Sequence, residues 1–163
     1  LSLHDALPIL WTPMLFYKEF ERKVLAHETS HGARHEANTI EQLKIRATLE
    51  NRSFVSSFTI SNDEIEEAML FAAEDEAERV SEWLNNKGSE ADKKQIAIRA
   101  ELDDSIGIVV NKRNKKFFVG TGSVMLVVLT KHKNPRTNEI WFEITTEYVD
   151  LTQEEIKNLK ESN

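Results

Sequence analysis

The sequence predicts an α+β fold, with N-terminal helices packed on a mostly antiparallel, curved β-sheet. Three observations carry this reading. The first half of the 163 residues has apolar side chains at helical spacing, opened by Ser/Thr caps. The second half has five β-branched and aromatic runs broken by turn residues. Helices first and strands second is the order of an α+β domain rather than of alternating βαβ units.

Element by element, Phe16, Phe20, Val24 and Leu25 recur at helical spacing with charges between them, predicting a helix over 16–26. Thr39 followed by Gln42 matches a capping box and opens a short helix carrying Ile40, Leu43, Ile45 and Leu49. Residues 54–59 read as a short strand. Ser61 with Glu64 is a second capping box, and its helix is expected to run unbroken to about Leu84. The inward stripe of that helix is Ile65, Met69, Ala72, Ala73, Ala77, Val80, Trp83 and Leu84, before the stop signal Asn85-Asn86-Lys87-Gly88. Strands are expected at 95–102, 106–111, 116–119, 124–130 and 140–148. Thr152 with Glu155 begins a polar terminal helix that is expected to fray. Trp83 and Trp141 read as core residues rather than base-stacking platforms.

The length suits one domain with a sizeable core. With no cysteine, neither disulfides nor thiolate metal ligands are available, so packing must supply the stability. No apolar run approaches the roughly 20 residues that cross a bilayer, the longest being 124–129. The net charge of −7 argues mildly against nonspecific polyanion binding, but the charge is unevenly spread. Residues 62–91 hold ten acidic and two basic side chains, a net of −8. Residues 111–136 hold Lys112, Arg113, Lys115, Lys116, Lys131, Lys133 and Arg136 and no acid. An acidic protein with such a segment can still present a basic face to nucleic acid.

Residues 1–9 (LSLHDALPI) resemble a translated short-read sequencing adapter, and the chain lacks an initiator methionine. They are expected to be an artefact and are set aside, His4 with them, as a fusion scar would be. The remaining organisation is read as a helix or linker at 10–25 continuing from a missing upstream region, a domain at 26–150 and a polar helix or tail at 151–163.

Three of the five histidines, His27, His31 and His35, fall within nine residues at a spacing of four. On a helix they would share one face. Imidazole titrates near physiological pH, so the cluster suggests proton transfer or metal binding. His27-Glu28-Thr29-Ser30-His31 is a literal H-E-x-x-H, in which His27 and His31 would hold Zn²⁺ and Glu28 would act as base on its bound water. The extended metzincin pattern is not met, since Arg34 and Ala37 stand where it has glycine and histidine, and Gly32 weakens a continuous helix. Zinc peptidase is therefore the second reading.

The first reading rests on a set of short segments in order. These are Leu25-Ala26-His27-Glu28, His31, Arg34-His35, Leu43-Lys44-Ile45-Arg46, Ser56-Ser57-Phe58-Thr59, Trp83-Leu84, Gly107-Ile108-Val109-Val110, Val127-Val128-Leu129 and Thr146-Glu147-Tyr148. Together they resemble the bacterial RNase A-like toxin domains found at the C-termini of contact-dependent inhibition and other polymorphic toxins. The resemblance covers about 125 residues, from Val24 to Tyr148. It implies an RNase A-like fold and a catalytic set of His35, Arg46, Thr146 and Tyr148, with His31 either the acid or a residue that orients its loop. It also implies an RNA substrate (tRNA among the candidates), a cognate immunity protein, and no cofactor or metal. The domain would be monomeric alone, would have no membrane anchor in this segment, and would be secreted or delivered from a cell surface to act in the target-cell cytoplasm.

The residue types suit metal-free endonuclease chemistry. His35 is a base of suitable pKa for the 2′-OH. Arg46 offers a fixed fork of donors to phosphate. Thr146 and Tyr148, two apart on a strand, share a face. Lys131, His132 and Lys133 read as a basic loop that tracks the RNA backbone. Without the resemblance, Arg46 is an ordinary solvated helix residue and Thr146-Glu147-Tyr148 an ordinary strand edge. The chain departs from the family pattern at Ser30, Gly32, Glu36 and Val149. Glu36 matters most, since a carboxylate beside His35 raises its pKa and repels phosphate. With the charge of −7, it supports a third reading, a catalytically inactive binding domain.

Overall fold

The computed structural model describes residues 10–28 and 38–163. The first helix, α1 (Pro13–Leu25), has Pro13 at its first turn, and Thr12 accepts the Leu15 N–H at 3.1 Å as its cap. Phe16, Phe20 and Val24 bury one face of α1 among the later helices and against Phe142, whose ring lies 5.2 Å from that of Phe16. The helix is therefore part of the core. Trp11 extends the union: its indole N–H donates to the Ile140 carbonyl at 3.1 Å, and Asn85 clasps its backbone.

Both inner capping boxes form. Thr39 caps α2 (Ile40–Leu49) and Ser61 caps α3 (Asn62–Asp75), each with the reciprocal N3 side chain, Gln42 or Glu64, bonded back. The expected single helix over 62–84 is instead two, α3 and α4 (Ala77–Leu84), broken at Glu76. The break has a tertiary cause. The Glu76 carboxylate accepts the outward N–H of Arg99 at 2.9 Å, and Arg79 donates to the Ala97 carbonyl at 3.0 Å while gripping Glu90 at 2.7 Å. These bonds cover the open edge of strand β2 (Gln95–Glu101), which would otherwise offer unpaired backbone groups to another chain. Arg79→Ala is accordingly expected to cost about 1 kcal/mol, lowering Tm by about 2–4 °C, and to raise aggregation on heating. Calorimetry with light scattering checks both.

The strands form two antiparallel sheets rather than one. The first has the order β2-β5-β6, with β5 (Val124–Lys133) and β6 (Ile140–Asp150). The second has the order β1-β3-β4-β7, with β1 (Phe54–Phe58), β3 (Gly107–Arg113), β4 (Lys116–Gly122) and β7 (Lys160–Ser162). The chain passes between the sheets four times, most directly at Ser123, the single residue between β4 and β5. The main core lies between α1, α3, α4 and the first sheet; a smaller one of Leu43, Ala47, Val55 and Val110 lies under α2. Gly107 and Gly122, paired across β3 and β4, let β6 lie directly on them: a Cβ at 122 would stand 2.5 Å from the Asp150 carbonyl oxygen. The tail does not end in a fraying helix. After the one-and-a-half-turn α5 (Gln153–Lys157), β7 joins the edge of β4, and Lys44 donates to the Asn163 carbonyl at 3.0 Å.

Candidate active site

The stem of the H-E-x-x-H motif is the end of a helix. The His27 N–H bonds to the Val24 carbonyl at 3.0 Å and the Glu28 N–H to that of Lys23 at 2.8 Å, a Schellman closure with His27 left-handed at φ 56°. The helix therefore does not run on through His27, and the two imidazoles of the motif cannot share a face of one continuous helix. His27 Nδ1 lies 3.1 Å from Glu66 Oε1, and Glu28 is engaged by Arg22 and Lys23. Among the described residues no cluster of three His, Asp or Glu is placed to hold a metal. His27 and Glu28 therefore stand at a helix end and not within a helix; His31, His35 and Glu36 lie outside the described residues.

Thr146 and Tyr148 owe their orientation to a bulge. Val128 pairs with Thr146 but the next residue, Leu129, pairs with Ile144, so Thr145 is an extra residue on β6. Before it, Phe142 and Ile144 face the core; after it, Glu147 and Val149 do. Unbroken alternation from Phe142 would have sent Thr146 and Tyr148 into that core. The bulge turns them instead to the opposite face, half-buried, beside Trp141 and Glu143. Thr130 and Thr145 share a hydroxyl hydrogen bond at the bulge, and Gln95 donates to Thr130 at 2.9 Å. Glu147, buried between the two site residues, was not singled out from sequence, because only the bulge assigns it to the core face.

Tyr148 lies edge-on to Phe54, ring centroids 6.2 Å apart, and the Val149 N–H donates to Ser56 at 3.2 Å. The site end of β6 thus abuts β1, the edge strand of the second sheet. Arg46 approaches the same strand from α2. That helix rests on Leu43 and Ala47, and Lys44, on one flank, reaches over Phe117 to Asn163 and so marks the side of β4 and β7. Arg46 lies half-buried on the other flank of α2, a helix that packs on β1 and β3. The helix runs antiparallel to β1, since the Asn38 N–H bonds to Ser57 at its start, so Arg46 lies toward the Phe54 end. Its Nε is 3.4 Å from Glu50 in an exposed ion pair.

The basic loop divides. Lys131 was expected to face substrate, but it points to the core side and donates to the carbonyls of Trp83 (2.9 Å) and Ala91 (2.8 Å) and to Asn86 (3.0 Å), over the Trp83 ring. All three of its donors are used in closing the end of α4, and desolvation holds its pKa below the usual lysine range. His132 and Lys133 lie at the far end of β5 from Tyr148. There Trp141, read as core, is exposed: its ring stacks on His132 at 5.4 Å, and His132 Nε2 is 3.2 Å from Glu143.

Burial, and then the charge of Asp150, raises the Tyr148 pKa; burial, and then Glu21 and Glu74, raises that of Tyr17. Tyr148 is therefore a neutral donor throughout the physiological range. Because the folded values are raised, this contribution to stability is complete below about pH 10 and lost as pH climbs through the folded values. The phenolate spectrum of the native protein is expected to develop above that of the urea-unfolded chain, with Tyr148→Phe removing one of the two late steps.

A family model described as the bacterial CdiA-CT RNase A domain matches residues 30–148. Among solved structures the chain is similar to the CdiA-CT/CdiI complex from Y. kristensenii 33638, with a TM-score of 0.56 at 20% identity, over 72% of this chain and 95% of that one. At that identity the likeness bears on the fold. No curated protein matches the chain.

Proposed function

This chain belongs to the bacterial CdiA-CT RNase A family, a family of ribonuclease toxins, and from that premise we propose that it cleaves RNA by metal-free transesterification. In this reading His35 takes the 2′-OH proton, O2′ attacks phosphorus, and the P–O5′ bond breaks as an acid protonates O5′, leaving a 2′,3′-cyclic phosphate. Arg46 faces the charge that builds on the phosphoryl oxygens. Thr146 donates to phosphate or reads a base. Tyr148 or His31 is the acid, and the neutral phenol fits that role as a donor at working pH. The observation that supports the reading is the Thr145 bulge, which turns Thr146 and Tyr148 outward and sets the Tyr148 ring against Phe54 of β1, a strand on which α2 also packs.

The solved relative is a complex with CdiI, which supports a cognate immunity protein for this chain as well. That partner would cover the catalytic residues His35 and Arg46, with the acidic α3–α4 face as the other candidate surface. Family membership supports delivery by cell contact into the target cytoplasm, with tRNA the first substrate to try; no helix among the described residues is long and apolar enough to span a membrane.

The test is cleavage of total RNA by residues 10–163 in excess EDTA, alongside His35→Ala. Cleavage that survives the chelator and falls by at least about a hundredfold in the variant is expected. Cleavage abolished by EDTA sinks the metal-free mechanism, and an inert wild type that still binds RNA leaves the binding-domain reading.

A further inference from the structure

Residues paired directly across antiparallel strands share a face. On the face of the first sheet that carries Thr146 and Tyr148, their β5 partners are Val128 and Leu126; next along come Glu143 with Thr130, and then Trp141 with His132. The bulge therefore does more than orient two residues. It brings the whole length of β6 from Trp141 to Tyr148 into one outward row. The distance along the strand is six residue steps once Thr145 is absorbed, about 20 Å at the usual rise.

The row has a definite chemistry. At one end the Tyr148 ring meets Phe54. At the other, Trp141 stacks nearly parallel on His132, interplanar angle 22°, and remains 40% exposed. Between them lie the Thr146 hydroxyl and a linked set in which Thr145 and Gln95 both bond to Thr130. A tryptophan held by a ring behind it is a rigid flat surface of low conformational entropy. Such a surface suits the face of a nucleobase, which stacks whatever its identity. A buried core tryptophan would instead look like Trp83, 1% exposed with its N–H on the Lys93 carbonyl.

We propose that the Trp141–His132 stack is a base-stacking subsite for single-stranded RNA, continuous along the outward face of β6 with Thr146 and Tyr148. A strand held at the cleavage position would run along the hydroxyl row and rest a base several nucleotides away on Trp141. Charges near the stack are mixed: Lys133 favours phosphate, Glu143 and Glu139 oppose it, and the neighbouring groove between α1 and β6 adds Lys18 and Glu19 together with Arg22 and Lys23, both of which are already paired with Glu19 and Glu28. The grip there must come from stacking more than from counterion release, so its salt dependence is shallow. The identity of the ligand as RNA rests on the ribonuclease reading above; the platform itself rests on the geometry of β6.

Two measurements separate these. In the first, the full chain is titrated with a single-stranded 2′-O-methyl oligonucleotide of about twelve nucleotides, which has no 2′-OH to attack, while tryptophan emission is followed. Quenching that is lost in Trp141→Ala, and that weakens only slightly with salt, is expected. In the second, kcat/KM is compared for a dinucleotide and a twelve-nucleotide RNA sharing one cleavable step. The advantage of the longer substrate is expected to fall about tenfold in Trp141→Ala, and to be largely restored in Trp141→Phe, which keeps a ring. Quenching without cleavage of any RNA would uphold the platform and sink the ribonuclease. Cleavage whose length advantage survives Trp141→Ala overturns the platform and leaves the ribonuclease standing. Trp141 emission that ignores RNA but responds to the cognate immunity protein also overturns it, in favour of a protein-docking face.

Discussion

Arg46→Ala is expected to lower RNA cleavage by about a hundredfold or more while leaving the fold intact. The asymmetry follows from where Arg46 sits. Its only charged contact among the described residues is the exposed pair with Glu50 at 3.4 Å, worth under about 1 kcal/mol. The packing of α2 instead comes from Leu43, Ala47 and the stem of Lys44. Removing Arg46 therefore takes away little stability. It does remove the fork of donors that would meet a phosphorane at the β1 edge. Arg46→Lys keeps the charge without the fork and is expected to recover only part of the loss. Steady-state kinetics beside a thermal melt reads both quantities. A variant that melts normally and cleaves normally would remove Arg46 from the catalytic set.

Gly107→Ala is the substitution expected to damage the fold most, costing more than about 3 kcal/mol. A Cβ there runs into the Ser57 carbonyl and a methyl of Val149 together, so one obstacle is backbone and cannot rotate aside. Gly120→Ala is the natural comparison. Its new methyl would meet Leu159 Cδ2 at 2.7 Å, the far end of a flexible side chain, and the cost should be markedly smaller. Because Val149 is one of the two obstacles at position 107, Val149→Ala in the Gly107→Ala background is expected to recover part of the loss, a non-additive pair. Urea midpoints for the four proteins would show it. Equal losses at 107 and 120 would mean that β6 can lift away from β3 and β4, and that the two sheets are less tightly joined than their glycines imply.

Much of this was readable from local pattern. The capping boxes at Thr39, Ser61 and Thr152 all form, each a matter of residues three apart. The inward stripe from Ile65 to Leu84 is buried as its spacing requires, even though the helix beneath it is broken. What the pattern missed depends on partners far along the chain. Glu76 leaves the helical path to meet Arg99, and β7 forms because β4 has an edge to fill. His27-Glu28-Thr29-Ser30-His31 has the spacing of a helical motif, but spacing alone does not show that α1 stops before it.

The site divides in the same way. Sequence alone determined the kinds of element, the residue types able to move protons and bind phosphate, and, through short ordered segments, the family. Those are properties of neighbours in the chain: caps, periods and motifs reach only a few residues. The tertiary structure decided which way the residues look. Thr146 and Tyr148 share the outward face with Trp141, and Glu147 faces inward, because β6 carries one residue more than β5 can pair. Side chains alternate at every step of a strand, so a single extra residue reverses all that follow, and only the pairing partner records that it is there.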